Sequence, residues 1–144
     1  PAGTGGTVRI LSVGATTGGT TFDGEGAVPF TSGDDLAVTA DLVTTDELRD
    51  YLLTASIETA TGQIVLATNT DMLGQDLPPV RGEAKLQLTF PALPLAPGDY
   101  AINLGVRSRV GYDITIAPRA LRLRVQAELP IGGFVYATPK FSLT

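Results

Sequence analysis

The chain has 144 residues, enough for one domain with a sizeable core, and a formal net charge of −5 from 10 basic and 15 acidic side chains. It contains no His and no Cys, which excludes Ser-His triads, thiol nucleophiles, disulfides and Cys/His metal sites, and no apolar run is long enough to span a bilayer. Gly and Pro together make 27 of the 144 residues, a share that favours many short strands over long helices. The chain starts at Pro1 and its single Met, Met72, is internal, so it reads as a piece of a larger protein.

Residues 1–6 (PAGTGG) have the composition of a linker, and a single domain is expected over residues 7–144. Four segments then alternate apolar and polar side chains with the period of a half-buried strand. In Leu36–Val43, Leu36, Val38, Ala40 and Leu42 share one face. Ala84–Phe90 places Leu86, Leu88 and Phe90 inward. Ala101–Arg107 does the same with Ile102, Leu104 and Val106, and Ala120–Gln126 with Leu121, Leu123 and Val125. Weaker strands are expected at Thr7–Val13, Thr54–Thr59, Gln63–Thr68 and Phe134–Thr138, separated by turn residues at Thr31–Asp35, Thr61–Gly62 and Pro97–Asp99. Thr44-Thr45-Asp46-Glu47 fits a capping box, and Leu48, Tyr51 and Leu52 follow at helical spacing, which predicts a short helical turn near 45–52. Leu95-Ala96-Pro97-Gly98-Asp99-Tyr100 matches the tyrosine corner of Greek-key sandwiches, so Tyr100 is expected to be structural. The fold expected is an all-β, Greek-key sandwich of about eight strands.

No nucleotide-binding motif is present, since neither Lys85 nor Lys140 follows a Gly. The acid pairs Asp23/Glu25, Asp34/Asp35, Asp46/Glu47 and Asp71/Asp76 lie in turns or at the expected cap, where shaping a loop outweighs glycosidase chemistry. A calcium site among Asp23, Glu25, Asp34 and Asp35 lacks an EF-hand pattern and is a minor option; no metal or catalytic residue is assigned. Charge is asymmetric. Residues 1–60 carry nine acids and two bases, whereas residues 100–126 carry five arginines and one acid, Asp113. If the strands at 101–107 and 120–126 adjoin, Asn103, Arg107, Arg122, Arg124 and Gln126 form one cationic polar face. Its planar donors suit sugar hydroxyls, carboxylates or phosphates; simple pairing with acids or solvent is the competing reading. Nucleic acid is excluded as a partner by the acidic chain and by the lack of aromatic residues among the arginines. There is no Trp, and Tyr112, beside Arg107 and Arg109 in a polar loop, is the best aromatic platform for a sugar ring. The candidate binding residues are therefore Asn103, Arg107, Arg109, Tyr112, Arg122 and Arg124.

The motif order resembles a known family. Ser32-Gly33-Asp34-Asp35-Leu36 opens a strand, a Thr-Gly hairpin ends in Ala67-Thr68-Asn69-Thr70, Phe90–Val106 reads FPALPLAPGDYAINLGV, and Gly132–Phe141 reads GGFVYATPKF. Together, over roughly Thr7 to Leu143, these are similar to the C-terminal carbohydrate-binding domain of the ATP-binding subunit of O-antigen polysaccharide ABC exporters, the Wzt C-terminal family. The resemblance implies an immunoglobulin-like sandwich without catalytic activity that binds the exported lipid-linked polysaccharide, often at its non-reducing end. It further implies a homodimer formed through the C-terminal strand, a transmembrane exporter subunit as partner, and a cytoplasmic position at the inner face of the membrane. An ATPase domain, with the ATP and Mg it uses, would lie upstream; no cofactor is expected within this chain. The resemblance assigns no binding role to particular residues. A ligand-free structural or dimerisation sandwich and a secreted adhesin-like domain are the alternatives.

Overall fold

A computed structural model describes residues 7–143; the linker expected at residues 1–6 lies outside them. Among the described residues nine strands form two sheets: β1 (Val8–Thr17), β2 (Thr20–Phe22), β3 (Ala27–Thr31), β4 (Leu36–Leu48), β5 (Tyr51–Thr59), β6 (Ile64–Asn69), β7 (Val80–Phe90), β8 (Gly98–Ser108) and β9 (Asp113–Gln126). One sheet has the order β2-β1-β4-β7 and the other β3-β9-β8-β5-β6; all neighbours are antiparallel except β3 and β9. This is the expected all-β sandwich. The four alternating segments are β4, β7, β8 and β9, and their inward residues Leu36, Val38, Ile102, Leu121 and Leu123 are fully buried. Each such side chain contributes about 1.5–3 kcal/mol by leaving water, so the alternation in the sequence is what drives the two sheets together.

A larger core runs along the sandwich, and a smaller cluster of Leu42, Leu48, Tyr51, Val80 and Val106 fills one end. The Tyr51 hydroxyl donates to the Pro78 carbonyl at 2.8 Å. Burial pushes the Tyr51 phenol above its ordinary pKa.

Two expectations are corrected. No helical turn forms near 45–52. β4 continues to Leu48, a two-residue crossing at Arg49–Asp50 takes the chain from one sheet to the other, and β5 begins at Tyr51. Three residues of β4 (Thr45, Asp46 and Glu47) bulge opposite Arg81. The Thr44 hydroxyl donates to the Asp46 carbonyl at 2.6 Å instead of capping a helix. Asp50 takes a φ of 50°, which turns the chain sharply. The nine strands among the described residues agree with the expectation of about eight, and the short edge strands β2 and β3 are the two that the sequence did not mark. The last expected strand, Phe134–Thr138, is a single antiparallel bridge between Leu95 and Val135, flanked by bonds from Ala96 N to Phe134 O (3.0 Å) and from Tyr136 N to Pro94 O (2.7 Å). For two of the four acid pairs the turn reading is supported by geometry: an Asp23 carboxylate oxygen accepts the Glu25 amide at 2.9 Å, and Asp35 accepts the Ala92 amide at 2.8 Å; Asp46 and Glu47 lie in the bulged end of β4 and not at a helix cap.

Candidate functional site

β8 and β9 adjoin, as the arginine-face reading required, but their register divides the six candidate residues into two groups. Arg122 lies opposite Ala101 and Arg124 opposite Asp99, whereas Arg107 lies opposite Asp113. Ala101 and Arg107 are six residues apart on one strand, which is about 20 Å. Asn103, Arg122 and Arg124 therefore occupy one half of the outer face of the five-stranded sheet. Arg107, Arg109 and Tyr112 gather at the β8–β9 hairpin.

The hairpin end holds a groove of about 550 Å³. Its floor is Val8, Leu48 and Ile114, which sit on the smaller core cluster. Its walls are the β4–β5 crossing, with Asp46, Glu47, Arg49 and Asp50, and the β8–β9 loop, with Arg109, Val110, Tyr112 and Asp113. The two walls are tied by a 3.0 Å bond from the Arg109 amide to the Asp50 carbonyl, and the loop is closed by bonds from Ser108 N to Tyr112 O (2.8 Å) and from Gly111 N to Ser108 O (3.0 Å). The Arg109 Nη1 group donates to both oxygens of the Asp71 carboxylate, at 2.8 and 2.9 Å, fixing the 70–77 loop against the hairpin. Arg107 sits just outside, 3.4 Å from the Gly111 carbonyl and 3.8 Å from Asp113. Tyr112 is 43% exposed. Hydrogen bonding to Arg49, with the charges of Arg49 and Arg81 adding to it, draws the Glu47 carboxyl below its ordinary pKa against an opposing effect of burial. An apolar floor, a half-exposed aromatic ring, carboxyl oxygens as acceptors and guanidiniums as donors can together hold a polyhydroxylated ligand.

On the outer face, Asn103 is committed to the fold. Its amide nitrogen donates to Ser56 (3.0 Å) and Glu58 (2.9 Å), and its oxygen accepts the Arg119 backbone amide (2.7 Å). Arg124 pairs with Asp99 at 3.2 Å, while Arg122 is exposed and enters none of the ion pairs among the described residues. The sequence reasoning missed Asp46, Asp50 and Glu58. The first two were placed on a helix that does not form, and only the β5–β8 register, which sets Glu58 beside Ala101, brings Glu58 to Asn103.

The fold and this groove define a β-sandwich domain with a recess at one end that is lined by both apolar and charged residues. Over residues 5–136 the sequence matches the family model of the Wzt C-terminal domain, and the chain belongs to that family. It is similar to the crystal structure of the C-terminal domain of wzt, with a TM-score of 0.78 and 16% identity over 95% of this chain and 84% of that one. No match was found among curated protein sequences. Domains of this family belong to the ATP-binding subunits of ABC exporters.

Proposed function

We propose that this domain is a non-catalytic glycan-recognition module of a polysaccharide ABC exporter, and that it reads the lipid-linked polymer in the groove at the hairpin end. The observation that carries this reading is the convergence of Tyr112, Arg109, Asp46, Asp50 and Asp113 on one groove of about 550 Å³. A pyranose ring stacks on Tyr112 while carboxylates accept from its hydroxyls, and Arg107 extends the donor set at the rim. A groove of this size takes one or two sugar units, which suits recognition of a chain end.

The upstream ATPase domain supplies ATP and Mg chemistry, and the module works at the cytoplasmic face of the membrane beside the transmembrane subunit. Among the described residues no helix is long and apolar enough to cross a membrane. Pairing of two copies through the C-terminal segment fits its exposed apolar side chains: Phe141 and Leu143 are 101% and 99% exposed.

The test is a calorimetric titration of the domain against the polysaccharide exported by the same cell. The wild type binds, and Tyr112→Ala weakens binding by about 1–2 kcal/mol. Absence of binding by the wild type would favour a ligand-free structural sandwich instead.

A further inference from the structure

On the outer face of the five-stranded sheet, β9 departs from regular pairing. Ile102 pairs with Leu121 and Leu104 with Ala117, so Asn103 alone faces the three residues Pro118, Arg119 and Ala120. Arg119 takes a φ of 48°, a conformation that is unfavourable for a side chain of its size. The strained bulge is held from β8 and β5. Asn103 accepts the Arg119 amide at 2.7 Å and donates to Glu58 at 2.9 Å, and the Arg119 guanidinium lies 3.6 Å from the same carboxylate. Bulges of this kind re-aim a side chain, and here the side chain re-aimed is a guanidinium.

One register row away, Arg122 stands between Ala27 on β3 and Ala101 on β8, with Glu58 on the far side of Ala101. Two alanine neighbours leave the Arg122 guanidinium uncovered and without a carboxylate beside it. Arg124 follows two residues, about 6.7 Å, along the strand and is paired with Asp99. Three guanidiniums thus face two carboxylates, and the surplus positive charge rests on Arg122.

We infer that this bulged face is a second binding site, separate from the groove, that takes an anionic group of the carboxylate or phosphate class. Arg122 is its fork-shaped donor. Arg119, presented by the bulge, is the second donor, and Asn103 is a positioning residue that holds the bulge in place. The inference rests on the reading of the domain as a glycan binder only for its biological ligand, a polymer unit with an acidic substituent. The anion site itself stands without it. A polymer long enough to cross about 20 Å would engage both sites, and binding would then gain from linkage.

The probes are a uronic-acid oligosaccharide, a neutral gluco-oligosaccharide of equal length and inorganic phosphate, each titrated at two ionic strengths. The wild type binds the uronate oligomer more tightly than the neutral one, and the preference shrinks as salt rises. Arg122→Ala lowers uronate affinity about tenfold, while Lys85→Ala, which removes an exposed positive charge from β7 of the other sheet, leaves it unchanged. Arg119→Gly keeps the fold, since Gly accepts the positive φ, and still loses several-fold in affinity. Phosphate binding at the same residues assigns the site to any compact anion; uronate binding alone assigns it to an acidic sugar. Equal affinity for charged and neutral oligomers, or an unchanged Arg122→Ala, overturns the anion site, whereas loss of native-polymer binding in Tyr112→Ala bears only on the groove.

Discussion

The Tyr100 hydroxyl donates a 2.8 Å hydrogen bond to the Ala96 carbonyl, four residues back along the chain. The bond closes the connection from β7 to β8, joining the two sheets at their corner, and both residues are buried. Burial also pushes the Tyr100 phenol above its ordinary pKa, so it stays protonated as a donor at neutral pH. Tyr100→Phe leaves the carbonyl without this partner and is expected to cost about 1 kcal/mol or somewhat more of stability. Urea unfolding measures it, with glycan affinity unchanged; unaltered stability with lost binding would make Tyr100 a ligand residue instead.

Gly24 is predicted to be irreplaceable for backbone reasons. Its φ is 87°, and a Cβ there would lie 2.1 Å from the Val13 carbonyl oxygen, a backbone atom that cannot swing aside. Gly24→Ala is expected to destabilise by roughly 2–4 kcal/mol, enough to lower the melting temperature by several degrees. A melting temperature within a degree of wild type would mean that the β2–β3 connection relaxes freely.

The period-2 segments reported β4, β7, β8 and β9 because each has one buried and one wet face, and the Pro-Gly-Asp-Tyr turn reported the corner. β3 escaped notice because Pro29 interrupts it and because its partner, β9, is almost a hundred residues away. The false helix has a specific cause. Leu48 and Tyr51 flank a two-residue crossing between sheets and both reach the small core cluster, so a spacing of three that looks helical is produced by a sharp turn. For the candidate site, alternation placed Arg122 and Arg124 on one face, but register, which sequence pattern does not encode, moved Arg107 to the other end. Asn103 looked available for a ligand only because the bulge that uses it was invisible.

The C-terminal segment offers a test of the pairing of two copies. Truncation after Ala137 keeps the Phe134 and Tyr136 backbone bonds to the β7–β8 connection and removes Phe141 and Leu143. A folded monomer is expected by light scattering. Deletion from Gly133 onward removes those bonds as well and is expected to give a monomeric or aggregating product. A well-behaved dimer after that deletion would place the interface elsewhere.

Glycan affinity is expected to be flat between pH 6 and pH 8. The chain has no His and no Cys, the side chains best suited to change charge in or near that range. Glu47 in the groove wall has its carboxyl drawn down by Arg49, so this pairing is complete at neutral pH and is lost only as pH falls through the lowered value. A change of more than about half a log unit in affinity per pH unit, measured by titration in that window, would contradict the assignment of these groups.

The central claim is that the hairpin-end groove reads the polysaccharide, and amide chemical-shift mapping of this 14.9 kDa domain tests it most directly. On addition of the native polymer, the account predicts that the largest shifts fall at Asp46–Asp50 and Ser108–Asp113, the two walls of the groove. Shifts that spare both walls and cluster on the outer face of the four-stranded sheet, or no shifts at saturating polymer, would contradict it.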